Sequence, residues 1–212
     1  MSNGRSTPPA VPTVPDQAEP RGSERRQELL DIAAELFATK GYAQTTVRDV
    51  AQHAGILSGS LYHHFASKEE MFHEILREFL DHLHDSTMTA VANSTTSTEL
   101  IDRLVADAFT AIQSWPYAVA LYQKEAGALS TQPSFAYLDT AGKEVEAVWR
   151  SAIVKGQESG EFRSDLDARL VYRFIRDTVW SSVRWYRPGG RIDAAQMTRQ
   201  YLVLLHGGLR AG

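Results

Sequence analysis

The sequence predicts an all-α protein, and three observations carry the prediction. From Ser23 nearly to the C-terminus, apolar residues recur at helical spacing rather than in strict alternation. The interruptions are Gly, Pro and Ser/Thr clusters, not β-branched runs. Two hydroxyl residues stand three positions ahead of an acidic one at the start of apolar segments, Thr46 before Asp49 and Ser67 before Glu70, the pattern of a reciprocal N-terminal cap.

Nine helices follow from these signals. The first, at 24–40, carries Leu29, Leu30, Ile32, Ala33, Leu36 and Phe37 on one side and stops at Lys40-Gly41, a last-turn cation followed by glycine. The second starts after Thr46 and runs through VRDVAQHA to Gly55. A third, short helix occupies 58–64, and a long fourth starts at Ser67 and reaches residue 92. NSTTST at 93–98 marks a change in character, after which helices are expected at 98–114, 116–129, 133–158, 165–187 and 193–209. Trp115-Pro116, Gln132-Pro133, Gly160 and Pro188-Gly189-Gly190 separate them. Three segments result: a disordered tail at 1–22, a helix-turn-helix unit at 23–68, and a regulatory and dimerisation domain at 69–212.

Composition narrows the function classes. The 212 residues are 43% hydrophobic and contain no cysteine, which removes disulfides, thiolate nucleophiles and Cys-ligated metal sites. A reducing cytosol is the expected compartment, and no apolar run has the length of a membrane span. The first twenty residues are polar and Pro-rich, without the continuous apolar stretch of a secretory signal. The net charge of −4 does not argue against nucleic acid, because a locally basic head can sit on an acidic regulatory domain.

GILSGSLYHHF, residues 55–65, is unusual for a helical segment because Leu61 and Phe65 are its main apolar anchors. With the preceding helix it reads as a helix-turn-helix: Val47, Val50, Ala51, Ala54, Ile56, Leu61 and Phe65 form an inner face. The outer face is then free to meet DNA. Ser58, Gly59 and Ser60 are small enough for close approach, Tyr62 and His63 lie one turn further on, and Lys68 adds a cation. Arg25 and Arg26 stand where an arm reaching the DNA backbone would begin, or where a helix start is simply solvated.

Residues 28–76 carry Gly41-Tyr42, Thr45-Thr46-Val47, Val50-Ala51, Ala54-Gly55, Ser58-Gly59-Ser60-Leu61-Tyr62, His64-Phe65 and Ser67-Lys68-Glu69 in order. This run resembles the DNA-binding head of the TetR family of bacterial repressors. The resemblance implies a three-helix head joined by the fourth helix to a divergent helical domain for ligand and dimerisation. It also implies DNA contacts at Thr46, Ser58, Ser60, Tyr62, His63 and Lys68, with Gly59 permitting close approach. Leu57 departs from the family's pattern and leaves base preference open.

In the regulatory half, the eighth helix places Val171, Ile175, Thr178, Ser182 and Tyr186 on one side at ~100° per residue and Arg173, Arg176, Trp180, Arg184 and Arg187 on the other. A tryptophan among four guanidinium groups suits a phosphorylated, partly aromatic ligand such as coenzyme A. Packing against a partner's carboxylates, or plain solvation, would also account for this face. Phe109, Trp115, Tyr117, Leu121, Tyr122 and Trp149 are candidates to line an apolar cavity. VWSSVRWYRPGG is similar to members of the family that control steroid-ring degradation in actinobacteria, which implies a CoA thioester of a bicyclic steroid remnant as inducer. Met197, Tyr201, Leu204 and Leu205 give the last helix an apolar face suited, with the eighth, to a four-helix dimer interface.

Rival readings are a repressor sensing another apolar molecule and an α-helical acyl-CoA enzyme. No acid–base or nucleophile constellation favours the enzyme. His63-His64 and His82-His84 are too close in sequence to share a helical face as a metal pair, so no metal is expected.

Overall fold

Five of the helices begin where the sequence supplies a side-chain cap. The computed structural model describes residues 18–129, 132–187 and 189–210, and among them nine α-helices are present and no strand. These are α1 (Ala18–Thr39), α2 (Val47–His53), α3 (Ser58–Leu61), α4 (Lys68–Ala92), α5 (Ser97–Ser114), α6 (Pro116–Leu129), α7 (Ala136–Glu158), α8 (Ala168–Ser181) and α9 (Ala194–Leu209). The Thr46 side chain accepts from the Asp49 amide while Asp49 accepts from the Thr46 amide at 2.7 Å, closing the expected box. Ser67, Thr96, Asp167 and Asp193 accept in the same way from the third helical amide of α4, α5, α8 and α9. No helix of the described residues is long and apolar enough to cross a membrane.

The boundaries differ from expectation in four places. The tail expected at 1–22 lies mostly outside the described residues, but its positions 18–22 belong to α1; Pro20 falls in the first turn, where a missing N–H costs no helical bond. The α-helical part of the third helix ends at Leu61, followed by a turn to His64. A 3₁₀ turn at Pro133–Phe135 precedes α7. The helix expected at 165–187 is shorter, because Asp167 caps it at Ala168 and Ser181 and Ser182 bond back to the carbonyls of Thr178 and Val179. Those bonds compete with the helical ladder and tighten the chain into a 3₁₀ turn at Ser182–Arg184.

Helix α5 is the axis of the regulatory half. Ile101, Leu104, Val105, Ala108, Phe109, Ala111 and Ile112 are buried, and α4, α6, α7, α8 and α9 all pack on it. α9 lies against α5 with the Tyr201 ring edge-on to Phe109 and His206 Nε2 at 2.6 Å from Asp102 Oδ1. The head is not a separate body. α1 packs on α2, α4 and α6, and buried apolar residues form one core from Leu29 to Leu209. α4 therefore belongs to both halves: Met71 and Phe72 are buried near the head, and Phe79, Leu80 and Leu83 are buried in the regulatory domain.

Candidate functional site

The helix-turn-helix is seated as its inner face predicts. Val50, Ala51, Leu61 and Phe65 are buried, with Val47, Ala54 and Ile56 partly buried against them. The turn passes through Gly55 at φ +67°, a conformation that only glycine adopts without a Cβ penalty. On the outer face Thr46, Gly59, Ser60 and His63 are exposed, Ser58 half-buried, and Tyr62 55% exposed. Leu57 provides no side-chain cap to α3, so the amides of Ser58 and Gly59 have no acceptor among the described residues. Gly59 has an ordinary negative φ, and a Cβ built there would meet nothing within 4 Å. Nothing inside the head requires a glycine at this position.

The cations of the head do not behave as expected. Residues 23–68 hold five cations, Arg25, Arg26, Lys40, Arg48 and Lys68, and five carboxylates, Glu24, Glu28, Asp31, Glu35 and Asp49, so the head is neutral rather than locally basic. Lys68, expected at the DNA backbone, turns inward. Its ammonium donates to the carbonyls of Tyr42 at 2.7 Å and Thr45 at 2.9 Å and lies over the Tyr42 ring. Arg25 donates to Glu28 and to the Ala54 carbonyl, and Arg26 pairs with Glu74 and covers the Phe65 ring, so neither starts a free arm. Lys40 binds Asp49, and that bond, followed by those from Thr46, holds the Asp49 carboxyl well below the usual carboxylate range. Thr46 is likewise committed to its cap, donating its hydroxyl to Asp49 at 2.8 Å. Arg48, exposed on α2 and without an ion-pair partner among the described residues, is the head cation that sequence reasoning missed. Its signal was its position in the first turn of α2, next after Val47.

The Lys68 geometry gives a first expected result. Lys68→Met leaves two partly buried carbonyls without their donor and should lower stability by about 1–3 kcal/mol, read from urea melts. The salt dependence of operator binding should stay unchanged. A slope reduced by about 1 per head would return Lys68 to the DNA backbone.

The regulatory half contains a cavity of about 570 Å³ between α4, α6, α7 and α8. Its apolar wall is made by Phe79, Leu80 and Leu83 from α4, Tyr122 from α6, Leu138 and Val145 from α7, and Tyr172 and Trp180 from α8. Phe79 stands between the rings of Tyr122 and Trp180, at 6.0 and 6.4 Å. The Tyr122 hydroxyl approaches α7 closely enough that a Cβ at Gly142 would sit 2.9 Å from it. Burial pushes the hydroxyls of Tyr122 and Tyr172 upward, the latter to about 12, so both are neutral donors at any ordinary pH. Arg176 and Lys143 supply the cations of this cavity, and each already holds a carboxylate: Asp177 at 2.8 Å and Asp139 at 2.6 Å.

Of the eight ligand residues expected from sequence, Tyr122, Arg176 and Trp180 are brought together here. Arg173, Arg184 and Arg187 are exposed and lie outside this lining. For Arg184 and Arg187, the 3₁₀ turn after Ser181 breaks the helical wheel that aligned them with Trp180. Within the core stripe of α8, Thr178 is exposed, and Tyr172 and Val179 are buried in addition to Val171, Ile175, Ser182 and Tyr186. Trp149 is buried behind the Tyr172 ring, Phe109 and Leu121 are core, and Trp115 and Tyr117 line a different cavity. The α4 and α7 wall residues escaped sequence reasoning because apolar residues at helical spacing look alike whether they meet a neighbour or a gap.

Comparison with known proteins identifies the family. The model of bacterial regulatory proteins of the tetR family matches residues 29–75, and that of the tetracyclin repressor-like C-terminal domain matches residues 94–209. The chain is 48% identical over 194 residues to the HTH-type transcriptional repressor KstR2 of Mycobacterium tuberculosis (strain ATCC 25618 / H37Rv), covering 92% of this chain and 97% of that one. It is 47% identical over 199 residues to KstR2 of Mycolicibacterium smegmatis, covering 94% and 95%. The solved structure of the ketosteroid transcriptional regulator KstR2 of Mycobacterium tuberculosis matches with a TM-score of 0.87 and 49% identity, over 89% of this chain and 96% of that one. With both halves matched and with these relatives, the chain belongs to the tetR family of bacterial regulatory proteins, as a ligand-responsive transcriptional repressor and not an enzyme.

Proposed function

We propose that the repressor binds a palindromic operator as a homodimer and is released by a CoA thioester of a bicyclic steroid remnant. The observation that carries this reading is the 570 Å³ cavity, an aromatic chamber with Arg176 and Lys143 in its wall. A fused-ring remnant fits between Phe79, Tyr122 and Trp180, and the ligand's anionic groups replace the carboxylates that Arg176 and Lys143 now hold. The ketosteroid description of the structural relative supports the same ligand class.

Dimerisation is supported by an apolar surface on α8 and α9. Phe174 is 70% exposed and Leu204 76%, with Leu170 and Val203 also exposed, and Phe174 and Leu204 flank a groove between the two helices. Two heads then meet two half-sites, with Ser58, Gly59, Ser60, Tyr62 and His63 turned to the DNA and Thr46 holding the start of α2. α4 carries cavity wall at one end and the head at the other, so ligand occupancy and head position are linked, and operator and ligand must weaken each other equally.

The test is operator binding by fluorescence anisotropy, titrated with steroid-derived CoA thioesters and their free acids. The thioesters should release the DNA. Trp180→Ala should need about 10- to 100-fold more thioester, from the apolar contact it loses, with operator binding intact. Release by the free acid as readily as by the thioester would make this a sensor of another apolar molecule.

A further inference from the structure

Trp115 and Tyr117 line a cavity of about 510 Å³ distinct from the one assigned to the inducer. It lies between α1, α4 and the corner where α5 passes into α6, on the seam joining head and regulatory domain. Its floor includes Ile75, and its rim carries Asp31 and Glu35 from α1 and Glu78 from α4. No Lys, Arg or His lines it, and none of these three carboxylates has an ion-pair partner among the described residues. Asp31 and Glu35 are four apart on one helix and repel each other. After burial, the Glu35 charge also raises the Tyr117 hydroxyl, which places that carboxylate against the ring's polar end.

We propose that this cavity is a second effector site that takes a hydrophobic organic cation, its charge among Asp31, Glu35 and Glu78 and its apolar body on Trp115 and Tyr117. The chemistry is selective. Indole and phenol faces attract a weakly hydrated cation, and the carboxylates add charge that an anionic or neutral guest would leave uncompensated. A bare metal ion suits the site poorly, because the described carboxylates do not converge as a metal-holding group and the rings offer no ligand oxygen. The volume falls within the ordinary range of small-molecule pockets. Because one wall is α1 and another the α5–α6 corner, a guest ties the head to the regulatory domain, and its binding is linked to operator affinity. The site is independent of the inducer proposed for the first cavity.

The test uses the full chain, with benzyltrimethylammonium as probe and its neutral isostere neopentylbenzene as control. Calorimetry should record binding of the cation and at least about tenfold weaker binding of the isostere. Glu78→Gln, an exposed change with no packing cost, and Trp115→Leu should each weaken the cation by about tenfold. Trp180→Ala, in the first cavity, should leave it unchanged. Saturating cation should shift the operator titration. Equal binding of cation and isostere, indifference to Glu78→Gln, or loss of binding in Trp180→Ala would overturn the site, and an unmoved operator titration would overturn its role as an effector site.

Discussion

Gly59→Val is expected to cut operator affinity by about 30-fold or more while leaving thermal stability nearly unchanged. The Cβ of a residue at this position meets nothing in the chain, and the backbone there is ordinary α3 helix with negative φ. The folded head therefore accommodates a side chain, and the cost arises only when a surface approaches from outside. In a dimer the clash occurs at both half-sites, and losing one contact of ~1–3 kcal/mol at each multiplies to the stated factor. The measurement pairs anisotropy on an operator selected from random duplexes with a melt of the free protein. Unchanged affinity would remove the close-approach role of Gly59. A large fall in melting temperature would instead make it a structural glycine.

Gly156→Ala should produce the opposite pattern, a large loss of stability with effects on DNA binding only through it. Gly156 is buried in α7, and a Cβ there would clash with the edge of the Phe162 ring, which is itself only 1% exposed. Phe162 also donates its amide to the Gly156 carbonyl at 2.9 Å, and Arg163 donates to the Leu209 carbonyl at 3.0 Å. Displacing the ring therefore loosens the junction between the end of α7 and the end of α9. Overpacking of this kind costs about 1–3 kcal/mol, a fall in melting temperature of ~2–12 °C for a chain of this size. Urea melts check the value, and adding Phe162→Leu should restore part of the loss, because the smaller side chain frees the space the methyl needs. Additive effects of the two changes would sink the steric explanation.

The local structure was largely legible in the residues. Thr46 with Asp49 and Ser67 announced helix starts because capping is a contact three residues long. The inner face of the helix-turn-helix, Val50, Ala51, Leu61 and Phe65, was legible for the same reason: residues three and four apart on a helix share a side wherever the helix lies. The inward bonds of Lys68 were not legible, because its partners, the Tyr42 and Thr45 carbonyls, lie more than twenty positions away and have no side-chain signature. The end of α8 was not legible for a smaller cause, a pair of serines that bond back to the carbonyls of Thr178 and Val179 and end the helix before Arg184.

By itself, then, the sequence determined the helices, the reading head and the family, because caps, helical stripes and the motif at 28–76 are short-range properties of the chain. Tertiary structure alone decided where a ligand can go. The cavity exists because α4, α6, α7 and α8 stand apart at Phe79, Tyr122, Leu138 and Trp180, and a gap between four helices is a property of their packing that none of them encodes alone. The same packing sent Trp115 to one cavity, Trp180 to another and Trp149 to the core, three fates for one residue type set by which neighbour each ring happens to meet.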